Sequence, residues 1–154
     1  MIDDLDRIMA VMEAAFEPRW GEAWNRRQVM DSLTLPHVHY RLVDASGGLP
    51  EGHSDAAGFI LTRHVADEEE LLLVAVRPEL RGRGIGAGLL ELFKNDARRR
   101  GATRVFLEMR HNNPALSLYR SAGFVPLGHR PDYYRLDDGS RLDAITLGCD
   151  LASN

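Results

Sequence analysis

The sequence has little of several features that would assign it to a special environment. It contains a single cysteine, Cys149, so no disulfide can form within the chain, as is typical of proteins in reducing compartments. Its longest aliphatic run, Leu71 to Val76, is far too short to cross a bilayer. The acidic start of the chain lacks the basic and then apolar pattern of a signal peptide. These absences predict a cytoplasmic protein that does not bind membranes.

The chain also lacks an excess of basic residues. Its formal net charge is −4, whereas a domain that binds nucleic acid over a broad face is usually basic. We therefore expect no nucleic-acid partner. The arginines are nevertheless concentrated in one stretch, and a local basic region on an acidic protein favours a small polyanion as ligand. That stretch contains Arg77, Arg81, Arg83, Arg98, Arg99, Arg100, Arg104 and Arg110.

The length and the order of predicted elements indicate one α/β domain. The 154 residues suffice for one sizeable core, and the lack of repeats and linkers favours a single domain over residues 1–154. Helices are predicted over 5–16, 23–34, 84–100 and 113–123, and strands over 40–43, 56–64, 69–76, 104–110, 124–128 and 142–150. The turn of the first hairpin is expected at Asp67 and Glu68. This order describes a single mixed sheet flanked by helices.

A glycine-rich loop lies between a buried strand and the longest predicted helix. The run from Leu71 to Val76 is apolar without alternation, which is typical of a central strand covered on both faces. Gly82, Gly84 and Gly86 follow it and allow the backbone to approach a ligand closely. The first amides of the helix have no intrahelical acceptor, so with the helix dipole they form an anion site. A diphosphate fits this site, beside the charges of Arg81 and Arg83.

Two other interpretations of this loop are open at the sequence level. It can be a turn that merely connects two elements, or it can belong to a dinucleotide-binding fold. Residues 82–87 match G-x-G-x-x-G/A, and Glu108 ends the next strand, where a ribose-binding acid belongs. Five residues separate the strand from the first glycine, however, and the chain has only one strand-helix-strand unit. No G-K-[ST] follows, so the loop is not a nucleotide P-loop.

The segment around this loop resembles the acetyl-CoA signature of the GNAT N-acetyltransferases. The matching run is Val74-Ala75-Val76-Arg77-Pro78-x-x-Arg81-Gly82-Arg83-Gly84-Ile85-Gly86. The resemblance implies that the backbone of Val74, Ala75 and Val76 pairs with the pantetheine arm of acetyl-CoA. It further implies that the backbone amides from Gly82 to Ala87 hold the pyrophosphate.

The resemblance extends through the second half of the chain, over residues 57–150 in all. The matching motifs are Asn112-x-x-Ala115-x-x-Leu118-Tyr119-x-x-x-Gly123-Phe124, Leu107-Glu108-Met109-Arg110, Arg130-x-x-Tyr133-Tyr134, Asp138-Gly139 and Asp143-Ala144-Ile145. The last four are similar to the ribosomal-protein alanine N-acetyltransferase branch, the RimI-like branch. That branch implies the N-terminal α-amine of a protein as acceptor. The family opens with a strand before its first helix, whereas Met1 here lies almost at that helix, so either the strand is missing or the start has been set too late.

Acetyl transfer to an amine requires a neutral amine, a stabilised oxyanion and a protonated leaving thiolate. With the family match, Glu108 is the candidate base, acting through water, and Tyr119 is the candidate acid. Without it, Glu108 is an ordinary exposed charge and Tyr119 is a core residue. Asn112 is a candidate cofactor contact because Asn113 is the better placed helix cap. Tyr133 and Tyr134 are candidates for the acceptor site, with Tyr133 expected to face it; packing between the last strands is an equal alternative.

The sequence leaves three kinds of function open beside this one. An acetyltransferase for a small-molecule amine has the same cofactor signature. A catalytically silent acyl-CoA-binding module that regulates a partner keeps the loop but not the chemistry. A dinucleotide enzyme is the last alternative. The six histidines are scattered without zinc spacing, so we expect no metal.

Overall fold

Residues 3–151 are described by a computed structural model. The helices are α1 (Asp4–Ala15), α2 (Arg26–Leu33), α3 (Ile85–Arg99) and α4 (Leu116–Ser121). The strands are β1 (Val38–Val43), β2 (Gly58–Val65), β3 (Glu68–Val76), β4 (Arg104–Arg110), β5 (Val125–Arg135) and β6 (Arg141–Asp150). Short 3-10 turns, Pro18–Trp20 and Pro78–Leu80, follow α1 and β3.

The six strands form one mixed sheet in the order β1-β2-β3-β4-β6-β5. Four of the five neighbouring pairs are antiparallel, and β3 and β4 are parallel. The parallel pair needs a crossover connection, which α3 provides. Its register covers only Glu68–Glu70 against Arg104–Phe106, so the two strands part beyond Glu70. This parting positions the candidate active site.

The sheet is covered on both faces. Leu89, Leu90 and Phe93 of α3 are almost completely buried and share a cluster with Leu107 of β4. On the other face, the apolar stripe of α1 packs with Phe59 and other residues of β2 and β3. Because β3 contributes side chains to both clusters, the expectation that its apolar run forms a doubly covered strand is confirmed.

The predicted types of element are confirmed, while several boundaries were wrong. Helix α2 begins at Arg26 instead of 23, because Asn25 forms a capping box with Gln28. The turn of the first hairpin is at Ala66 and Asp67, and Glu68 already belongs to β3. Helix α4 begins at Leu116 instead of 113, and β5 runs on to Arg135. Within residues 3–151, no strand precedes α1.

The topology contradicts the dinucleotide-binding alternative. That fold has an open, mostly parallel sheet built from repeated strand-helix-strand units. In the part of the chain from Asp3 to Leu151, one pair of strands is parallel and the others are antiparallel. Residues 82–87 therefore match the spacing of the G-x-G-x-x-G/A fingerprint by coincidence.

Candidate active site

A cleft of about 760 Å³ opens where β3 and β4 part. One wall is the free edge of β3, and the other is the end of β4 with the first turn of α4. The segment between α1 and α2 forms its rim. Six side chains with polar or charged groups in the cleft wall are Trp20, Glu22, Glu108, Arg110, Tyr119 and Tyr134.

The edge of β3 that faces the cleft has open backbone groups. The amide of Arg77 donates to the carbonyl oxygen of Ala57 at 2.8 Å, so alternation in the antiparallel pair turns the backbone groups of Ala75 toward β2 as well. Those of Val74 and Val76 consequently point away from β2, into the cleft. The carbonyl oxygen of Val76 accepts a hydrogen bond from Arg81 Nε at 3.3 Å. An extended polar chain can therefore pair with β3 at Val74 and at the amide of Val76.

The glycine loop presents a run of free amides at the start of α3. Gly82 and Gly84 have φ of +78° and +83°, a conformation that side chains disfavour. Within residues 3–151, none of the six amides from residue 82 to residue 87 donates to a protein acceptor. Because α3 is 15 residues long, its dipole adds partial positive charge at these amides. The loop can therefore bind a diphosphate without any adjustment of its hydrogen bonds.

The third glycine has a packing role. A Cβ atom built on Gly86 would lie 3.1 Å from Leu118 Cδ2 of α4, closer than real Cβ contacts allow without a shift. Ile85 is buried in the core, whereas Ala87 is exposed. Ile85 can therefore contribute only its backbone to a bound anion.

The two arginines of the loop are placed differently. Besides its bond to Val76, Arg81 donates from Nη2 to the carbonyl oxygen of Ala15 at 3.2 Å, so it ties the end of α1 to the end of β3. Arg83 is exposed and has no ion pair with any residue between Asp3 and Leu151. Arg83 is therefore the guanidinium that remains available to a phosphate.

The arginine-rich stretch does not form one basic region, contrary to our expectation. Arg98, Arg99 and Arg100 lie at the far end of α3, roughly 22 Å from the glycine loop for a helix of 15 residues. Arg100 pairs with Glu69, and Arg99 pairs with Asp96. Arg99 and Arg100 are therefore held in ion pairs, and none of the three arginines adds its charge to the site at the glycine loop.

Tyr119 is part of the buried core and also lines the cleft. Its ring packs edge-on against Phe124, with 5.9 Å between centroids, and the residue is 5% exposed. It also lines the cleft, and its hydroxyl makes no hydrogen bond to the described part of the chain. Burial, with the nearby charge of Glu22, raises the pKa of Tyr119 well above its ordinary value. The hydroxyl consequently stays protonated and can donate.

Glu108 lies across the cleft on β4, with weak contacts. Its Oε2 accepts from Thr146 Oγ1 at 3.4 Å and lies 3.6 Å from Arg130 Nε. The side chain is 23% exposed, so water reaches it. A carboxylate with long contacts and access to water is suited to moving a proton through a water molecule.

A second carboxylate in the cleft, Glu22, was missed by the sequence analysis. Its Oε1 lies 3.4 Å from Nε of Arg110, which ends β4. The guanidinium of Arg110 stacks on the ring of Trp20 at 3.9 Å from the centroid. Because Glu22 and Arg110 are distant in the chain, no local spacing indicates their contact.

Asn112 and Asn113 do not have the roles that we expected, because Ala115 is the N-cap of α4 and no side chain caps that helix. The Oδ1 of Asn113 accepts from the amide of Ala115 at 2.9 Å, ahead of α4. The Oδ1 of Asn112 accepts from Nη1 of Arg110 at 3.0 Å, so Asn112 is not free, although it lines the cleft.

The tyrosine that faces the cleft is Tyr134, contrary to the expectation for Tyr133. Tyr134 lines the cleft, and burial together with the charges of Glu108 and Glu22 raises the pKa of Tyr134 to about 12. Tyr133 is 49% exposed and packs its ring edge-on against Tyr134. A register shift between Arg130 and Tyr134 interrupts the alternation of β5 on which the expectation relied.

The described part of the chain shows neither a cluster of metal ligands nor a membrane-spanning helix. Among residues 3–151, no three or more His, Cys, Asp or Glu side chains are grouped to hold a metal ion. No helix in that range is both long and apolar enough to cross a membrane.

Comparison with known proteins identifies the family of the chain. Residues 5–124 match the family described as Acetyltransferase (GNAT) family. The N-alpha-acetyltransferase RimI of Mycobacterium tuberculosis (strain ATCC 25618 / H37Rv) is 38% identical over 127 residues, which are 82% of this chain and 75% of that protein. The ribosomal-protein alanine N-acetyltransferase of Escherichia coli (strain K12) is 37% identical over 97 residues, which are 62% of this chain and 65% of that protein.

A solved structure agrees over the whole fold. The crystal structure of the Escherichia coli ribosomal-protein alanine N-acetyltransferase superposes with a TM-score of 0.77 and 26% identity, and covers 99% of this chain and 92% of that one. The parted strands, the glycine loop and these matches lead to one conclusion: the chain belongs to the GNAT acetyltransferase family and is an acetyl-CoA-dependent N-acetyltransferase.

Proposed function

We propose that this protein transfers the acetyl group of acetyl-CoA directly to the N-terminal α-amine of a protein. The observation that carries the proposal is the cleft between β3 and β4, which has free backbone groups on one side and Glu108 and Tyr119 on the other. The relatives named above act on protein N-termini according to their names. The proposal treats residues 1–154 as one N-acetyltransferase domain that works in the cytoplasm.

The backbone of the chain supplies most of the acetyl-CoA site. The amides of Gly82, Arg83, Gly84, Ile85, Gly86 and Ala87 hold the pyrophosphate, and Arg83 adds a charge. The pantetheine arm pairs with Val74 and Val76, while Ala75 keeps these two residues in register through its bonds to β2. Arg81 stiffens the junction between β3 and α1. Asn112 lines the same cleft on the other side and is a further contact to the cofactor.

The kind of acceptor decides how strong a base is needed. An α-amine has an ordinary pKa of about 7.7–8.0 and a lysine about 10.4. At pH 7 roughly a tenth of α-amines are neutral, but fewer than about one lysine in a thousand. A carboxylate that acts through water, such as Glu108, therefore suffices for an N-terminus. The amine gives one proton to this water before it attacks the thioester carbon.

Bond formation places negative charge first on the thioester oxygen and then on the departing sulfur. A backbone amide of β3 that faces the cleft, such as that of Val74, stabilises the oxygen. As the bond from carbon to sulfur breaks, Tyr119 gives its hydroxyl proton to the sulfur, which leaves as the CoA thiol, and Tyr119 regains a proton from water. The amine loses its second proton to water at Glu108, and the products are the acetylated N-terminus and CoA.

The cofactor is tested by calorimetry with acetyl-CoA, with NADH as the control ligand. We expect micromolar binding of acetyl-CoA and none of NADH. Transfer is then tested with an alanine-initiated peptide that contains one internal lysine, beside the same peptide with a formylated N-terminus. Mass spectrometry should locate one acetyl group on the α-amine of the free peptide and none on the blocked peptide.

Three results would change the proposal. Turnover of free amines without turnover of peptides would select a small-molecule acetyltransferase. Tight acetyl-CoA binding without transfer to any amine would select a silent acyl-CoA-binding module. Acetylation of the blocked peptide would place the acceptor on lysine.

A further inference from the structure

Glu22 lines the cleft, and its carboxylate keeps unused hydrogen-bonding capacity. It lies between the turn Pro18–Trp20 and α2, and its side chain is 28% exposed. Its Oε1 lies 3.4 Å from Arg110 Nε, a charge contact without a hydrogen bond. No donor among residues 3–151 hydrogen-bonds either oxygen of this carboxylate. The carboxylate can therefore still accept hydrogen bonds from a ligand in the cleft.

Arg110, in contrast, is buried in the cleft wall, where it packs on Trp20 and bonds to Asn112. The residue is 7% exposed, and its Nη1 donates to both oxygens of Asn112, at 3.1 Å to the carbonyl and 3.0 Å to the side chain. Its guanidinium plane lies on Trp20. Its Nε is buried without a hydrogen bond, and Glu22 is the carboxylate that faces it. Arg110 therefore holds Glu22 in place at the cleft wall.

Glu22 and Glu108 approach the same part of the cleft from different elements. Glu108 is on β4, two residues before Arg110 and on the same face of that strand. Both carboxylates act on the hydroxyl of Tyr134, whose pKa their charges raise beyond the effect of burial. Glu22 also acts on Tyr119. A cation that enters the cleft near Tyr119 and Tyr134 therefore meets two carboxylates, and the guanidinium of Arg110 offsets part of their charge.

We propose that Glu22 is a specificity-determining residue that binds the acceptor's α-ammonium group through its carboxylate, which accepts no hydrogen bond from the described chain. Arg110 is the positioning residue for this contact. The inference rests on the proposed function and deepens it, because it separates two tasks. Glu22 binds the amine as a cation, and Glu108 then removes its proton through water.

The test is Glu22→Gln, since glutamine keeps the shape of the side chain and removes its charge. A hydrogen bond between charged groups lost in this way raises the KM of the peptide acceptor about tenfold at neutral pH, while kcat changes less than twofold. Above about pH 9 the free α-amine is neutral, and the difference in KM should shrink. The affinity for acetyl-CoA should not change. A purely structural role would not produce this dependence on pH.

Glu17→Gln is the matched control, because Glu17 lines the same cleft but is exposed and has no ion pair in the described chain. It should leave the KM of the peptide unaltered. Peptide binding to the complex with CoA, measured by calorimetry, gives a second reading that does not need turnover. It should weaken about tenfold in Glu22→Gln only.

The possible failures are distinguishable. If the wild-type protein binds the peptide but does not acetylate it, the proposed function fails. The peptide affinities of the wild-type protein and Glu22→Gln then still test the role of Glu22. If Glu22→Gln keeps the wild-type KM and peptide affinity, the role of Glu22 is refuted while the proposed function stands. An equal loss at all pH values, or an equal loss in Glu17→Gln, would also refute it. A wild-type protein that binds no peptide would refute both.

Discussion

The carboxylates at the two ends of the β3 and β4 pair differ in how many hydrogen-bond donors surround them. Where the strands are paired, Glu69 is 0% exposed and accepts from Arg100 at 2.8 and 2.5 Å, from Thr62 at 3.2 Å, and contacts His64 at 3.2 Å. Where the strands have parted, Glu108 has only contacts of 3.4 and 3.6 Å. The first carboxylate is saturated with donors, and the second keeps room for a ligand.

A cavity is present at both ends, so shape alone does not identify the active site. The cavity near the paired end, between β1, β2 and α3, measures about 450 Å³ and is lined by Arg41, Asp96 and Arg100. Arg41 binds Asp96 through two hydrogen bonds of 2.7 and 2.8 Å, and Arg100 binds Glu69. The open end instead offers free amides, a free strand edge and a free carboxylate oxygen. Unused hydrogen-bonding capacity, not charge, separates a ligand site from a structural network.

The largest expected effect comes from closing the open end at the glycine loop. Gly84→Glu places a side chain and a negative charge where the pyrophosphate binds, and calorimetry should detect no acetyl-CoA binding. Gly139→Glu is the matched control, since Gly139 has nearly the same φ, +85° against +83°, and a Cβ atom meets nothing within 4 Å at either position. Wild-type affinity in Gly84→Glu would contradict the assignment of the loop.

The next effect is on stability and concerns the paired end. Arg100→Met leaves the buried carboxylate of Glu69 without its main partner, and the free energy of unfolding at pH 7 should fall by roughly 3 kcal/mol. Urea denaturation measures this loss. Arg98→Met is the control, because Arg98 is exposed and bonds only to Asn95. An equal loss in both variants would contradict the comparison.

The same variant makes a prediction about pH. Burial alone raises the pKa of Glu69, but the hydrogen bonds and charge of Arg100 outweigh it, so the pKa is lowered in the folded wild-type protein. The ion pair therefore stabilises the wild-type protein above the unfolded pKa, and this contribution is lost as the pH falls through the folded pKa. In Arg100→Met the buried carboxyl protonates more readily. The deficit in unfolding free energy should thus shrink between pH 7 and about pH 4.

A smaller effect, on turnover, is expected from the acid in the cleft. Tyr119→Phe keeps the ring that packs on Phe124 but removes the hydroxyl, so kcat should fall about a hundredfold, with the Kd for acetyl-CoA nearly unchanged. Steady-state kinetics and calorimetry measure the two quantities. Tyr133→Phe, whose hydroxyl lies outside the cleft, should have wild-type kcat. An unaltered kcat in Tyr119→Phe would mean that Tyr119 only packs.

The smallest effect separates the two arginines of the loop. Arg83→Ala removes an exposed charge and should weaken acetyl-CoA binding about threefold at low salt, with the difference decreasing as salt screens the charge. Arg81→Ala should instead lower the urea midpoint, because it removes the bonds to Val76 and Ala15. Equal effects of the two variants on stability would contradict this division.

The features that the sequence predicted correctly are local ones. The free amides of the glycine loop, the helix that follows and the doubly covered strand depend on neighbouring residues, so spacing reveals them. The family motif also placed Glu108 and Tyr119 in one cleft. The missed features depend on alternation through an irregular strand: the register shift in β5 exchanged the expected positions of Tyr133 and Tyr134.

By itself, then, the sequence determined the mixed sheet, the loop that fits a diphosphate and the family. The tertiary structure alone decided which charges are free. The packing of α3 places Arg100 beside Glu69 at the start of β3. The fold also places Glu22 beside Arg110, although the two residues are far apart in the sequence. Local propensity carries no information about such distant partners, because their contacts form only when the packed helices and the parted strands set their separation.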